Sequence, residues 1–283
     1  MDVLGSAIHL AAIYAIVNVG FVYLYRTTGI INFAQGQMLM IAAFLLATFQ
    51  AWSGYGGGIA LSVIAMLLLG IVVYYGFARL LSGKDELTKV AVTFLLALGL
   101  TQVSGLAWGS GMRAVNIPAG GYLRIAGGRI PVVSILSLVA SGVLALLLER
   151  VLRRTHVGVE MRAVAEDESL AAYRGMRRHA LLAGAWAVAF VCGALAAAVY
   201  VERAPVVLSM SDVGLSAFPA AVIGGMDNVA GAFLGAGLVA LVESFTQLYL
   251  GGALADAASY ALMLVALLVL PYGLLGRRPS LRL

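Results

Sequence analysis

The sequence predicts an all-α, polytopic membrane protein, and three observations lead to that prediction. Of its 283 residues, 62% are hydrophobic and only 11% are charged, whereas soluble domains are about 45–50% apolar and about 25% charged. The mean hydropathy is +1.00. Apolar windows long enough to cross a bilayer recur along the whole chain. A soluble enzyme with a single core is excluded, because a chain of this size has no room to bury so much apolar surface.

Eight windows approach the roughly 20 apolar residues that a spanning helix requires, and one further stretch is shorter. The first window lacks the basic start of a secretory signal, so we interpret it as a retained helix. The short stretch, 213–226, is broken by Pro219 and by Gly224-Gly225. We predict about eight long transmembrane helices plus one short broken crossing, in a single transmembrane domain over residues 1–283. The eight windows are 3–25, 29–50, 58–81, 89–109, 131–149, 180–201, 228–250 and 257–274.

Basic residues predict the orientation, because loops rich in Lys and Arg remain in the cytoplasm. Segment 150–179 contains seven arginines, and the C-terminus contains Arg277, Arg278 and Arg282. If both segments lie inside, the chain must cross the membrane an even number of times between them. Only three long windows lie there, so we expect stretch 213–226 to be the fourth crossing. Nine crossings then place the N-terminus outside and fourteen of the 18 Lys and Arg inside.

Two Gly-interrupted segments are candidates for a solute path, because backbone groups freed inside a membrane need water or a ligand as partner. They are 27–40 and 213–228, one in each half of the chain, which suggests two related halves. In the first, Asn32, Gln35 and Gln37 are suited to hydrogen-bond a polar solute. Hydrogen bonds that simply hold helices together are the alternative.

Glu243 is the only acid well inside a long window. A carboxylate at that depth is costly, so a role in the solute path is one hypothesis. The other is a structural hydrogen bond to a neighbouring helix, which the polar neighbours Ser244, Thr246 and Gln247 favour.

The residues give no support for catalysis, a metal centre or a cofactor. The single cysteine, Cys192, and the three histidines form no cluster at metal-ligand spacing. There is no phosphate-binding loop, so we expect this chain not to hydrolyse ATP itself. The scattered basic residues form no stripe, which argues against binding of nucleic acid.

The arginine-rich segment has the pattern of two short helices. Residues 160–166 can form the first, and Glu166 or Asp167 can begin a second that stops at Gly175. Such a pair would be a compact docking element for a cytoplasmic partner. A solvated loop whose arginines only set the topology is the alternative.

Four motifs, in order and with matching spacing, resemble the permease subunits of branched-chain amino acid ABC importers, the Liv-type family. The resemblance covers nearly the whole chain. The motifs are GIINFAQGQMLMIAAF (29–44), GVEMRAVAEDESLAAYRGM (158–176), AFPAAVIGGMDNVAGAFLGAGLVALVE (217–243) and PYGLLGRR (271–278).

The resemblance implies an inner-membrane permease of a bacterial or archaeal importer. Its expected partners are a second permease, identical or different, two cytoplasmic ATPases and an extracytoplasmic solute-binding protein. The resemblance makes 158–176 the loop that docks on the ATPase. Within it, the coupling role is expected of Glu160, Arg162, Glu166, Asp167 and Gly175.

Three departures from the family pattern leave the solute open between branched-chain amino acids, amides, urea and aromatic acids. The linker ARLLSGKDELTK contains no proline, the external segment 110–130 is short and Gly-rich, and Pro219 stands where a threonine is expected. Two other classes of function remain as alternatives. A secondary transporter or channel would need no ATPase, but sparse intramembrane charge argues against proton coupling. A membrane enzyme would need a catalytic constellation, and none is visible.

Overall fold

The computed structural model describes residues 3–117, 121–125, 128–166 and 168–276, which form a helical bundle with one small hairpin of strands. In chain order the elements are α1 (Val3–Thr28), α2 (Gln35–Gly76), a 3-10 turn (Ala78–Leu81), α3 (Glu86–Trp108), β1 (Tyr122–Ile125), β2 (Gly128–Pro131), α4 (Val132–Arg154), α5 (His156–Glu166), α6 (Glu168–Tyr173), α7 (Arg178–Tyr200), a 3-10 turn (Leu208–Ser211), α8 (Asp212–Gly224), α9 (Val229–Tyr249) and α10 (Gly252–Val269).

Among the described residues, six helices are long and apolar enough to cross a membrane, and α8 and α10 are shorter apolar helices. Helix α2 has 42 residues and breaks at Gly54, where φ is 69° and ψ is 178°. A β-carbon at Gly58 would lie 3.0 Å from the backbone nitrogen of Gln50, whereas eight residues of straight helix would separate them by about 12 Å. The chain therefore turns back at Gly54, and we treat α2 as α2a (35–53) and α2b (55–76).

With α2 divided in this way, nine apolar helices in the described part of the chain match the nine predicted crossings. The predicted window 29–50 was wrong at its start, because residues 29–34 are not helical and α2a begins at Gln35. The start is set by tertiary packing, since the Gln35 side chain lies against the middle of α7. Its Nε2 donates to the carbonyl of Ala189 at 3.4 Å.

Two short helices begin inside the bundle and meet end to end. The N-terminus of α2a lies against the N-terminus of α8, and the approach is so close that only glycine fits. A β-carbon at Gly36 would collide with the carbonyl oxygen of Ser211, and one at Gly214 would collide with the backbone of Gly36. The helices leave this point in opposite directions.

The bundle contains two related halves, as the sequence suggested. In the first half α1 is followed by α2a, α2b and α3, and in the second α7 is followed by α8, α9 and α10. The two halves pack against each other: α2 of the first half packs mainly on α7 of the second, and α9 of the second half packs mainly on α1 of the first. The short helices α2a and α8 occupy equivalent places and point in opposite directions. This arrangement is an inverted repeat of the kind found in transporters.

Pro219 does not break α8, contrary to the prediction. The helix continues to Gly224 and ends at Gly225, where φ is 101°. Proline has no N–H, so the carbonyl of Leu215 loses its usual donor. The hydroxyl of Tyr260 donates to that carbonyl at 3.4 Å and replaces the missing bond.

The end of α8 is completed by the segment that follows α10. The backbone N–H of Leu274 donates to the carbonyl of Ile223 at 2.7 Å, and that of Leu275 donates to Gly224 at 3.1 Å. Asn228 caps α9 by accepting from the N–H of Ala230 at 3.0 Å. Residues 271–276 of the last sequence motif therefore meet the motif 217–243 at one end of the bundle.

The hairpin of β1 and β2 was not predicted. Its strands pair antiparallel, with Leu123 opposite Ile130. A separate antiparallel bridge joins Arg113, which follows α3, to Val206, which precedes α8. Four-residue strands in a Gly-rich segment are too short to give a clear alternating pattern. The hairpin leads directly into α4.

Gly36→Ala tests the contact between the two short helices. We expect a lower thermal midpoint and a loss of about 1–3 kcal/mol or more in the free energy of unfolding, because overpacking against backbone is hard to relieve. Gly99→Ala is the matched control, since Gly99 lies in α3 with nothing within 4 Å of its β position. Equal midpoints for the two variants in the same detergent would contradict the close contact.

Candidate functional site

Asn32 and Gln35 have their polar atoms engaged inside the bundle. Both are about 1% exposed. The Asn32 Oδ1 accepts from the N–H of Ala34 at 3.1 Å, and its Nδ2 lies 3.4 Å from the Oε1 of Gln35. Gln35 in turn reaches Ala189 on α7. The two side chains therefore fix the place where α2a begins.

Gln37 differs from these two residues because part of its side chain is unengaged. It is 9% exposed, and its Oε1 is buried with no hydrogen-bond partner among the described residues. Asn18, in the middle of α1, is fully buried, and neither its Oδ1 nor its Nδ2 has a partner within the same ranges. Leaving such a group unsatisfied costs roughly 1–3 kcal/mol. The interior of the bundle thus retains unused hydrogen-bonding capacity.

Glu243 joins three helices through hydrogen bonds. Its Oε2 accepts from the hydroxyl of Tyr14 on α1 at 2.8 Å and from the hydroxyl of Ser259 on α10 at 3.1 Å. Because α9 carries the carboxylate, the contact ties α1, α9 and α10 together. The side chain is only partly buried, so it also faces the surroundings of the bundle.

Two further carboxylates lie near Tyr260 of α10, and the sequence analysis missed both. Asp212 begins α8 and Asp256 lies in the first turns of α10, and both are exposed. The hydroxyl of Ser216 donates to Asp256 Oδ1 at 3.4 Å. All three acids are close enough to the Tyr260 hydroxyl to interact with it electrostatically.

We call Asp212, Glu243, Asp256 and Tyr260 the acidic face. On α9 and α10 it is surrounded by exposed apolar side chains such as Leu241, Phe245 and Leu264. Carboxylates exposed to hydrocarbon are costly, so the acidic face is suited to contact with water or protein. Asp256 stands one residue before the predicted window 257–274, and its spacing from Ser259 and Tyr260 on one helix face is the signal that would have identified it.

The segment predicted as a docking element forms two short helices, α5 and α6. Helix α5 begins at His156, four residues before the predicted start at 160. Its buried side consists of Gly158, Met161 and Val164. A β-carbon at Gly158 would collide with the end of α4, and the hydroxyl of Tyr23 on α1 donates to the sulfur of Met161 at 3.5 Å. The pair is therefore seated firmly on the spanning helices.

The opposite side of this element is open. Arg162 and Glu166 are exposed on α5, Glu160 is half-buried, and Tyr173 on α6 is 90% exposed. Gly175 follows α6 with φ of 75°, the conformation expected where a helix stops. Asp167 lies outside the described residues. We call α5, α6 and the following turn the docking element.

The same end of the bundle is reinforced by ion pairs. Glu149 on α4 pairs with Arg26 at the end of α1 and with Arg153 one turn further along α4. These pairs hold α1 and α4 together just before the chain enters the docking element.

At the end of α7 remote from the docking element, Glu202 is about half-buried in the turn after that helix. Burial raises its pKa to about 7, although Arg203 acts in the opposite direction. Its Oε1 has no hydrogen-bond partner in the described ranges. This surface therefore carries a carboxyl that titrates near neutral pH.

Comparisons with known proteins find relatives that match nearly the whole chain. LivH of Escherichia coli K12, a high-affinity branched-chain amino acid transport system permease protein, is 26% identical over 292 residues, covering 96% of this chain and 94% of the relative. BraD of Pseudomonas aeruginosa, which carries the same description, is 29% identical over 93% of this chain and 92% of its own length. A probable LivH of Methanocaldococcus jannaschii is 23% identical, covering 97% and 92%.

A chain of PsaBC from Streptococcus pneumoniae, solved in complex with Fab, shares the fold at a TM-score of 0.51 and 13% identity, covering 96% of this chain and 93% of that chain. The family model described as "branched-chain amino acid transport system / permease component" matches residues 3–269. Because that match spans nearly all of the sequence, the chain belongs to the family of branched-chain amino acid transport permeases.

Proposed function

We propose that this chain is the membrane-spanning subunit of an ATP-driven importer for branched-chain amino acids or a related small polar solute such as an amide, urea or an aromatic acid. The observation that supports this most is the family match over residues 3–269. Two helices that begin inside the bundle and face each other, α2a and α8, fit a transport role because such helices recur around substrate paths in transporters.

The proposal assigns ATP hydrolysis to two separate cytoplasmic subunits that contact the docking element. Glu160, Arg162, Glu166, Asp167 and Gly175 are the residues proposed for this contact. The exposed Tyr173 and the charged outer side of α5 support it, since docking surfaces combine aromatic anchors with polar groups. Because α5 is packed on α1 and α4, a rigid movement of the ATPase would be transmitted to the spanning helices.

The proposal places the solute path along the acidic face, next to the second permease subunit. The exposed acids Asp212 and Asp256 support it, because they require water or protein beside them within an otherwise apolar surface. Carboxylates there would also attract the ammonium group of an amino acid. Asn32 and Gln35 position α2a, Gln37 offers a free acceptor, and Glu243 belongs both to the path and to the contact between helices.

The proposed location is the inner membrane of a bacterium or archaeon, with the N-terminus outside and the docking element and C-terminus in the cytoplasm. An extracytoplasmic solute-binding protein would deliver the solute to the outer end. This orientation follows from the distribution of Lys and Arg.

Arg162→Ala combined with Asp167→Ala tests the docking element. We expect ATP-dependent uptake in proteoliposomes of the complete importer to fall by about tenfold or more, as removal of two interface charges can cost about 1–2 kcal/mol. Membrane insertion should not change, because Arg162 is exposed.

The control is Lys84→Ala, which removes an exposed cation from the linker between α2 and α3. Unchanged uptake and ATPase activity in the double variant would argue against the docking role. Failure of the wild-type chain to co-purify with any ATPase would favour a secondary transporter or channel.

Asp256→Asn tests the acidic face, with Tyr14→Phe as its structural counterpart. We expect Asp256→Asn to raise the solute concentration for half-maximal uptake by about tenfold while the thermal midpoint stays within error, because Asp256 is exposed. Tyr14→Phe removes a hydrogen bond to Glu243 and should lower the midpoint. If both variants change only the midpoint, Glu243 and its neighbours have a structural role alone.

Single cysteines test the orientation, in a background where the buried Cys192 is replaced by Ala. We expect Asp2→Cys to react with a membrane-impermeant maleimide in intact cells, and Ala165→Cys to react only after the membrane is opened. Reaction of both positions under the same condition would show that the proposed topology is wrong.

A further inference from the structure

A cleft with two unpaired cations lies at the end of the bundle that carries the docking element. Its polar rim includes Arg79 and Lys89, together with Ser82. Its wall includes the apolar side chains of Leu182 and Trp186 from α7. Lys89 also lines an adjoining cleft beside the end of α1. Both cations therefore converge on one concave region, although they come from opposite sides of the linker between α2 and α3.

Neither cation is used inside the protein. Arg79 is exposed and Lys89 is half-buried, and neither side chain forms a hydrogen bond or ion pair within the described ranges. Of the nearby acids, Asp85 is engaged in capping α3 by accepting from the N–H of Thr88 at 3.1 Å. Glu86 lines the adjoining cleft, so one acid faces the two cations and the region keeps an excess of positive charge.

Exposed apolar side chains lie on the same elements that line the cleft, and Leu87 also lines the adjoining cleft. Leu80 is 64% exposed, Leu87 is 79% exposed and Val72 is 64% exposed. These side chains lie on α2b, the 3-10 turn and the start of α3, at the level where helices end. A lipid with an anionic headgroup matches a cationic cleft beside apolar side chains, because the headgroup would reach the cations while the acyl chains cover Leu80 and Leu87.

We infer that this cleft binds the phosphate of an anionic phospholipid, with Arg79 and Lys89 as its ligands and the leucine surface against its acyl chains. A role in topology alone would not require the two cations to share a cleft. Lys84, in the same linker, is exposed, lines neither cleft and serves that role equally well. The exposed apolar flank favours a lipid over free phosphate as the occupant.

The lipid inference is independent of the proposed transport function. The side chain of Val164, from the buried side of α5, also lines the cleft. A bound lipid would therefore touch the docking element from the membrane side. It would occupy the junction between the spanning helices and the part of the chain that faces the cytoplasm.

Native mass spectrometry of the full-length chain in mild detergent tests the inference, with phosphatidylglycerol and phosphatidylcholine as probes. We expect retained phosphatidylglycerol to fall about tenfold or more in Arg79→Ala combined with Lys89→Ala. Lys84→Ala, the matched control, should retain as much as the wild type, and the exchange Arg79→Lys with Lys89→Arg should restore most of the binding.

Three results would overturn the inference. The first is that the wild type and the double alanine variant retain the same amount of phosphatidylglycerol. The second is that Lys84→Ala loses as much phosphatidylglycerol as the double alanine variant. The third is that the wild type retains phosphatidylcholine as well as phosphatidylglycerol. Inorganic phosphate distinguishes the two sources of the anion, because a free-phosphate site would be saturated by millimolar phosphate and lose phosphatidylglycerol. A thermal midpoint measured in phosphatidylcholine alone shows whether each variant is folded.

Discussion

The backbone contact between the first turns of α2a and α8 is the constraint on which the rest of the structure depends. Gly36 and Gly214 allow the two helix ends to touch, and a single added carbon on either would collide with the other helix. Once that contact is fixed, residues 29–34 must return into the bundle before α2a can begin, and the turn Leu208–Ser211 must do the same for α8. The depth of both short helices, and thus the inverted repeat, follows from it.

A helix that begins or ends inside a membrane leaves backbone groups that lipid cannot satisfy. Distant parts of this chain supply the missing partners. The hydroxyl of Tyr260 serves the carbonyl that Pro219 leaves free, and the segment after α10 serves the carbonyls of Ile223 and Gly224. The sequence motif around Pro219 and the motif near the C-terminus therefore form one structural unit, because the second supplies hydrogen-bond donors to carbonyls of the first.

The helices could be predicted from the sequence because length and hydropathy are local properties, and each of the nine apolar segments overlaps a helix, although window 29–50 begins before the helix does. The start of α2a at Gln35 and the passage of α8 through Pro219 could not, because each depends on a residue far away in the chain, Ala189 and Tyr260 respectively. For the site, Glu243 was identifiable as a lone acid in a long apolar window. Its donors on α1 and α10, and the acids at the starts of α8 and α10, belong to other segments and required the fold.

The polar side chains divide into those that hold the bundle together and those that are exposed at its surface. Asn32, Gln35 and Glu243 belong to the first group, since Gln35 joins α2a to α7, Glu243 joins three helices and Asn32 contacts Gln35. Exposed charges belong to the second, on the acidic face, on the docking element and at the cationic cleft. Because a bilayer interior penalises an exposed charge, a charge kept on this surface marks a place where hydrocarbon is not the neighbour. We propose a different neighbour for each of the three regions, namely the solute path, a cytoplasmic protein and a lipid headgroup.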